Sequence, residues 1–156
     1  MHLKVHSHFT LQGGTASIDA LVDRAKADGH ESVAITDRNA LYGAVALTRA
    51  CRKAGIRPII GLTLNVQSPV NSRVLGSAEI VLLARNPAGY RNLCRLSSHI
   101  QATPERDQRY DAGIPWELLE AHTNGLIAID GGRLGWLMRH LANDCLLYTS
   151  PSPRDS

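Results

Sequence analysis

The chain has 156 residues, 44% apolar and 20% charged, with a formal net charge of +3. That is enough for one domain with its own core, and the charge is too mild to announce a nucleic-acid binder. Cys51, Cys94 and Cys145 stand far apart, with no CxxC pair, which argues against a disulfide framework and for reduced thiols.

The aromatic share is only 4%, so Leu, Ile, Val and Ala must fill the core. No run approaches the roughly 18 continuous apolar residues of a membrane span. The first residues read as a strand rather than a leader segment.

Residues 3–7 form that first short strand, ending in His6-Ser7-His8. Residues two apart on a strand share a face, so the two imidazoles can converge on one metal ion while Ser7 turns away. Neutral imidazole ligates zinc, iron, manganese and copper. Taken alone, the pair fits a structural role better, with one ring hydrogen-bonded and one exposed.

Ser17 is placed as a helix cap before Ile18, Leu21, Val22 and Ala25, with Gly29 as the stop. Residues 32–36 read as a second strand. Residues 41–54 read as a helix with Leu41, Ala44, Val45, Leu47, Thr48 and Cys51 on its apolar side and Gly55 closing it. Residues 57–66 form a third strand. Residues 79–84 form a fourth, whose near-continuous apolar run suits burial on both faces.

Asn86 caps the next helix, with Pro87 at its first position and Tyr90, Leu93, Cys94 and Ser97 on one face. The polar stretch 101–113 reads as a loop. Pro115 opens a short helix through Ala121. Residues 125–130 are a fifth strand and 134–142 a final helix.

This alternation implies an α/β fold of parallel βα repeats with right-handed crossovers, as a barrel or an open sheet. In either, function gathers at the carboxyl ends of strands. His6, His8, Thr36-Asp37-Arg38, Thr63 and Asp130 all fall near such ends. The domain is expected over residues 1–143. Residues 144–156 change abruptly to a Ser/Pro stretch. They read as a non-native or disordered tail, and look like translated adapter sequence at the end of an assembled read.

Several runs carry a resemblance. They are His6-Ser7-His8-Phe9-Thr10-Leu11, the segment 34–43 around Thr36-Asp37-Arg38, the segment 55–61 and, most specifically, 82–96 with its Gly89-Tyr90-Arg91-Asn92-Leu93 helix. Trp116-Glu117-Leu118-Leu119 and Gly125-Leu126-Ile127-Ala128 extend it. Over residues 1–142 the chain resembles the polymerase and histidinol phosphatase (PHP) domain, in the version carried by bacterial DNA polymerase III alpha subunits at their N-terminus. The resemblance implies a distorted (βα)7 barrel, of which about the first five strands lie here.

Members of that family with a full site hold three metal ions and hydrolyse phosphoesters. The metals polarise the phosphoryl oxygen and activate a water. Some polymerase versions keep such a site, associated with 3′–5′ exonuclease proofreading, and many have lost it. Here His6 and His8 match the first ligand pair. The next acidic or His ligand falls at Gly13, the His after Thr-Asp on Arg38, a Glu on Thr63, a His near Glu79, and a later Cys or His near Gly132. A guanidinium has no lone pair for a metal. Arg38 is therefore expected to fill a vacated position with its own charge, pairing Asp37 or another carboxylate.

The resemblance thus implies His6 and His8 as remnant metal ligands, with Asp37, Arg38, Glu79 and Asp130 lining the site. Zinc or manganese would be the ion there. Magnesium would serve only a parent polymerase performing template-directed nucleotidyl transfer in replication or error-prone repair synthesis. The expected partners are the rest of that chain and, through it, DNA and replication or repair proteins, in the cytoplasm and without a membrane. The segment itself is expected to be a catalytically silent scaffold. Two alternatives stay open: a free-standing, histidinol-phosphatase-like metal-dependent phosphoesterase, and a non-catalytic interaction module. An incomplete barrel would leave a bare sheet edge and poor solubility.

Overall fold

The computed structural model describes residues 2–10, 13–68, 76–104, 106–139 and 141. The expected tail 144–156, Cys145 and the end of the last helix lie outside the described residues. The element order is α1 (Ile18–Ala27), β1 (Ser32–Ile35), α2 (Ala44–Ala54), β2 (Arg57–Gln67), β3 (Ser77–Ala84), α3 (Pro87–Gln101), α4 (Arg106–Ala112), α5 (Trp116–Glu120) and β4 (Leu126–Asp130). A 3-10 turn at Gly132–Leu134 follows.

The helix punctuation works as the sequence implies. The Ser17 hydroxyl accepts from the Ala20 N–H at 3.2 Å, and the Asn86 side chain accepts from the Gly89 N–H at 3.0 Å. Gly55 ends α2 in the left-handed region at φ 76°, which glycine adopts without a Cβ penalty.

The four strands form one sheet in the order β1-β2-β3-β4. β1 and β2 pair in parallel across α2. The expectation of parallel βα repeats throughout is corrected here: β2–β3 and β3–β4 are antiparallel. The link between β2 and β3, residues 68–76, is shorter than the dozen or so residues that a parallel crossover needs. β3 thus runs opposite to the other three described strands. Its amino end lies beside the carboxyl ends of β2 and β4, with Glu79 opposite Asn65 and Ile80 opposite Asp130.

Two further corrections concern local structure. Residues 3–7 do not form a regular strand. The Thr36 N–H donates to the Val5 carbonyl at 2.7 Å, but the Val5 N–H returns to the Thr36 hydroxyl at 2.8 Å. A side chain thus takes the place of the carbonyl that a ladder requires. The stretch 101–113 is not wholly loop, because α4 occupies part of it. None of its residues is buried, so it shows no apolar periodicity. It is held by backbone acceptors: Asn65 Nδ2 donates to the Tyr110 carbonyl at 2.9 Å and Ser77 Oγ to the Asp111 carbonyl at 3.0 Å.

The core has two parts. Leu62, Leu64 and Val66 of β2 and Leu82 of β3 pack with Leu93, Leu96 and Ile100 of α3. Val33 and Ile35 of β1 pack with Ile18 and Val22 of α1 and with Leu47 and Cys51 of α2. β2 passes from one partner strand to the other at Gly61, where a Cβ would lie 2.7 Å from both the Leu82 carbonyl oxygen and Thr36 Cγ2. Among the described residues, no helix is long and apolar enough to cross a membrane.

Candidate functional site

The end of β1 continues past Ile35 along β2. The Thr63 N–H donates to the Asp37 carbonyl at 3.1 Å, and the Asn39 N–H to the Thr63 carbonyl at 2.8 Å. Asp37, Arg38 and Thr63 therefore sit side by side. Asn39 takes a positive φ of 60°, which asparagine tolerates better than most residues. Its carbonyl accepts from Ser97 Oγ and Gln101 Nε2, both at 3.0 Å, anchoring this corner to α3.

Asp37 is buried. Its Oδ1 accepts from the Ser7 N–H at 2.6 Å and the Thr10 hydroxyl at 2.7 Å, and its Oδ2 from the Ser7 hydroxyl at 2.8 Å. Thr10 Oγ1 accepts in turn from the Arg38 N–H at 3.1 Å. Asp37 thus ties the histidine segment to the sheet. Its side-chain bonds run back to residues 7 and 10.

Glu79 is the electrostatic centre. Its side chain is 3% exposed, against 44% for Arg38 and 37% for Lys4. Arg38 pairs with Oε1, while Lys4 Nζ reaches Oε2 at 2.8 Å and also donates to the Gly131 carbonyl at 2.8 Å. The partner of Arg38 is therefore Glu79 and not Asp37. Burial and the neighbouring Arg38 charge lower the Lys4 pKa, with Asp130 pulling the other way.

The two histidines are arranged differently. His6 is half-buried, with Nε2 at 3.3 Å from the Thr63 hydroxyl. His8 is exposed and its ring packs against Phe9 at 4.2 Å between centroids. Asp130 turns to its own loop, accepting from the Gly132 N–H at 3.0 Å. The Gly13 backbone comes near His6, where a Cβ would lie 3.3 Å from Nδ1, but glycine offers no ligand atom.

The donor set does not fit a metal cluster of the implied kind. Among the described residues, no group of three or more His, Cys, Asp and Glu side chains converges as a cation site. Of the two buried carboxylates at these strand ends, Asp37 is taken up by Ser7 and Thr10, and Glu79 already carries two cationic partners. Lys4 is the participant that sequence reasoning missed. Its signal was available: Lys4, His6 and His8 recur at the two-residue spacing of one extended face.

The His6 pKa is lowered, first by burial, then by the Lys4 charge, against an upward pull from Asp37 and with a further downward push from Arg38. The unfolded chain takes this proton near its ordinary pKa of about 6.5, whereas the folded chain resists it. The stability this group contributes is therefore full above about pH 6.5 and falls as pH drops through the folded pKa. Thermal unfolding followed by circular dichroism should show a midpoint that declines on acidification, with a shallower decline in His6→Gln. His99, lowered by burial and then by Arg109, supplies part of the remainder. An identical slope in the variant would refute the assignment.

The sequence pattern of the PHP domain matches residues 2–152. The DNA polymerase III subunit alpha of Bacillus subtilis is 36% identical over 137 residues, covering 88% of this chain and 12% of that protein. The error-prone DNA polymerase of Symbiobacterium thermophilum is 35% identical over 148 residues, covering 86% and 13%. The chain thus spans about an eighth of the length of these relatives.

Among solved structures, an amidohydrolase from Chromobacterium violaceum, with bound sulfate and no metal, superimposes with a TM-score of 0.50 at 25% identity. It covers 64% of this chain and 32% of its own. A Bifidobacterium adolescentis protein assigned to the metal-dependent phosphoesterases gives a TM-score of 0.51 at 20% identity, covering 92% and 50%; at that identity the likeness speaks for the fold alone. Matched over nearly its whole length, the chain belongs to the PHP domain family.

Proposed function

We propose that this chain is the PHP portion of a bacterial DNA polymerase III alpha subunit, replicative or error-prone, and that it acts there as a scaffold. One observation carries the scaffold reading. Glu79, at a position where the family implies a metal-binding histidine, is neutralised by Arg38 and Lys4. A fixed guanidinium and ammonium do the electrostatic work that cations do in a metal site, without an exchangeable ion. The identity to polymerase chains over most of the sequence supports the parent assignment.

In this reading the barrel is completed by strands beyond the described residues, closing between β4 and residues 3–7. The exposure of Ile127 on β4 and of Leu134, Leu137, Met138 and Leu141 soon after it in the sequence supports such a cover, since exposed apolar surface marks a place where something else packs. The parent would transfer nucleotides with magnesium held elsewhere in its chain. Its partners would be the remaining polymerase domains, DNA, and replication or repair proteins of the cytoplasm. His6 and His8 are then ancestral zinc or manganese ligand positions, and Asp37 and Asp130 structural side chains of the former site.

Primer extension by the complete natural chain tests this. The expected result is template-dependent synthesis that persists in His8→Ala. Metal-dependent phosphoester hydrolysis without primer extension, abolished by His8→Ala, would instead establish the free-standing phosphoesterase.

A further inference from the structure

A second feature lies away from the strand-end site, on the outer face of the sheet. The apolar spacing of α2 and α3 puts Val45 and Tyr90 on core-facing stripes, yet they are 57% and 38% exposed. Both line a groove of about 580 Å³ between α2 and the start of α3, floored in part by Ile60 of β2. Arg49 and Arg52 of α2 and Arg85 at the end of β3 also line it. Among the described residues, no carboxylate lines the groove. Among the described residues, these three guanidiniums have no ion-pair partner; the carboxylates that do pair are Asp28, Glu79 and Asp107.

We propose that this groove binds an acidic, leucine-rich peptide segment of a partner protein. An apolar floor edged by unpaired cations is the complement of alternating aliphatic and carboxylate side chains. The arginine fork accepts a carboxylate in bidentate geometry, and three of them give direction as well as attraction. The amino end of α3 adds positive partial charge on the same rim. A single-stranded nucleic acid is the poorer match. It needs a stacking surface for successive bases, and among the described residues Tyr90 is the one aromatic side chain lining the groove.

Fluorescence anisotropy on the complete natural chain tests the assignment with three labelled probes. These are a Glu/Leu peptide, a Glu/Ser peptide of equal charge and a thymidine oligonucleotide. The Glu/Leu peptide should bind saturably, at least about tenfold tighter than the Glu/Ser peptide, a difference of about 1.4 kcal/mol. The double variant Arg49→Glu/Arg52→Glu and the single variant Val45→Asp, all at exposed positions, should each weaken it at least about tenfold. Arg24→Ala, on α1, should leave it unchanged. Equal binding of the two peptides, or equal loss in Arg24→Ala, would reduce the effect to bulk charge and overturn the proposal. Oligonucleotide binding that is lost in the groove variants, without peptide binding, would assign the face to nucleic acid instead.

Discussion

Asp37→Ala is expected to destabilise the chain by about 3–4 kcal/mol, because it leaves several buried donors without their charged acceptor. The Ser7 N–H, the Ser7 hydroxyl and the Thr10 hydroxyl all lose their partner, and Ser7 is fully buried. Asp37→Asn should recover part of the loss, since an amide oxygen at the Oδ1 position still accepts from the Ser7 N–H and the Thr10 hydroxyl, while the NH2 at the Oδ2 position meets the Ser7 hydroxyl without the charge. The damage should be local as well as global. Residues 4–10 are held to β1 mainly by this carboxylate and the Val5–Thr36 exchange. Hydrogen exchange should therefore show the Ser7 and Thr10 amides losing protection first, with denaturant melts giving the total. A stability change below about 1 kcal/mol would mean that the three bonds are replaced by water.

The second large effect is expected at Glu79. Removing a buried charge from its ion pairs costs about 3–5 kcal/mol when the remaining partner is also buried. Arg38 and Lys4 are each more than one-third exposed, so water recovers part of their solvation. About 2–3 kcal/mol is the expected loss for Glu79→Gln. Arg38→Met should cost less, because Lys4 still neutralises the carboxylate. The triple change Lys4→Met/Arg38→Met/Glu79→Leu should lie close to the parent, as apolar replacement of a whole buried ion cluster often does. A double-mutant cycle on Arg38 and Glu79 isolates their coupling. A coupling near zero would show that the two charges are neighbours without being partners.

Much of the fold was legible because it is written locally. Ser17, Gly55 and Asn86 punctuate helices through bonds within a few residues. The run 79–84 announced a strand covered on both faces, and Val81, Leu82 and Leu83 are indeed buried. The direction of β3 was not legible, since an apolar run reads the same in a parallel or an antiparallel sheet. The length of the preceding link held the better clue. α4 was missed because a helix that buries no side chain carries no periodicity.

The site divides in the same way. His6, His8, Asp37, Arg38 and Glu79 were nameable from spacing and resemblance. Their pairing was not, because Asp37 meets Ser7 and Thr10, and Glu79 meets Lys4 and Arg38, across long stretches of sequence. The spacing of Lys4 with the histidines is visible in the sequence, but its pairing with Glu79 follows only when that segment lies beside the amino end of a reversed strand.

In the proposed scaffold, Arg38 and Lys4 take the place of metal at Glu79. The most direct test is zinc or manganese retention by the complete chain, measured by elemental analysis after loading and desalting, in parallel with His6→Ala/His8→Ala. The two proteins should retain equal amounts, and chelator should leave the thermal midpoint unchanged. Retention of about one equivalent or more that disappears in the double variant, together with a midpoint lowered by chelator, would contradict it.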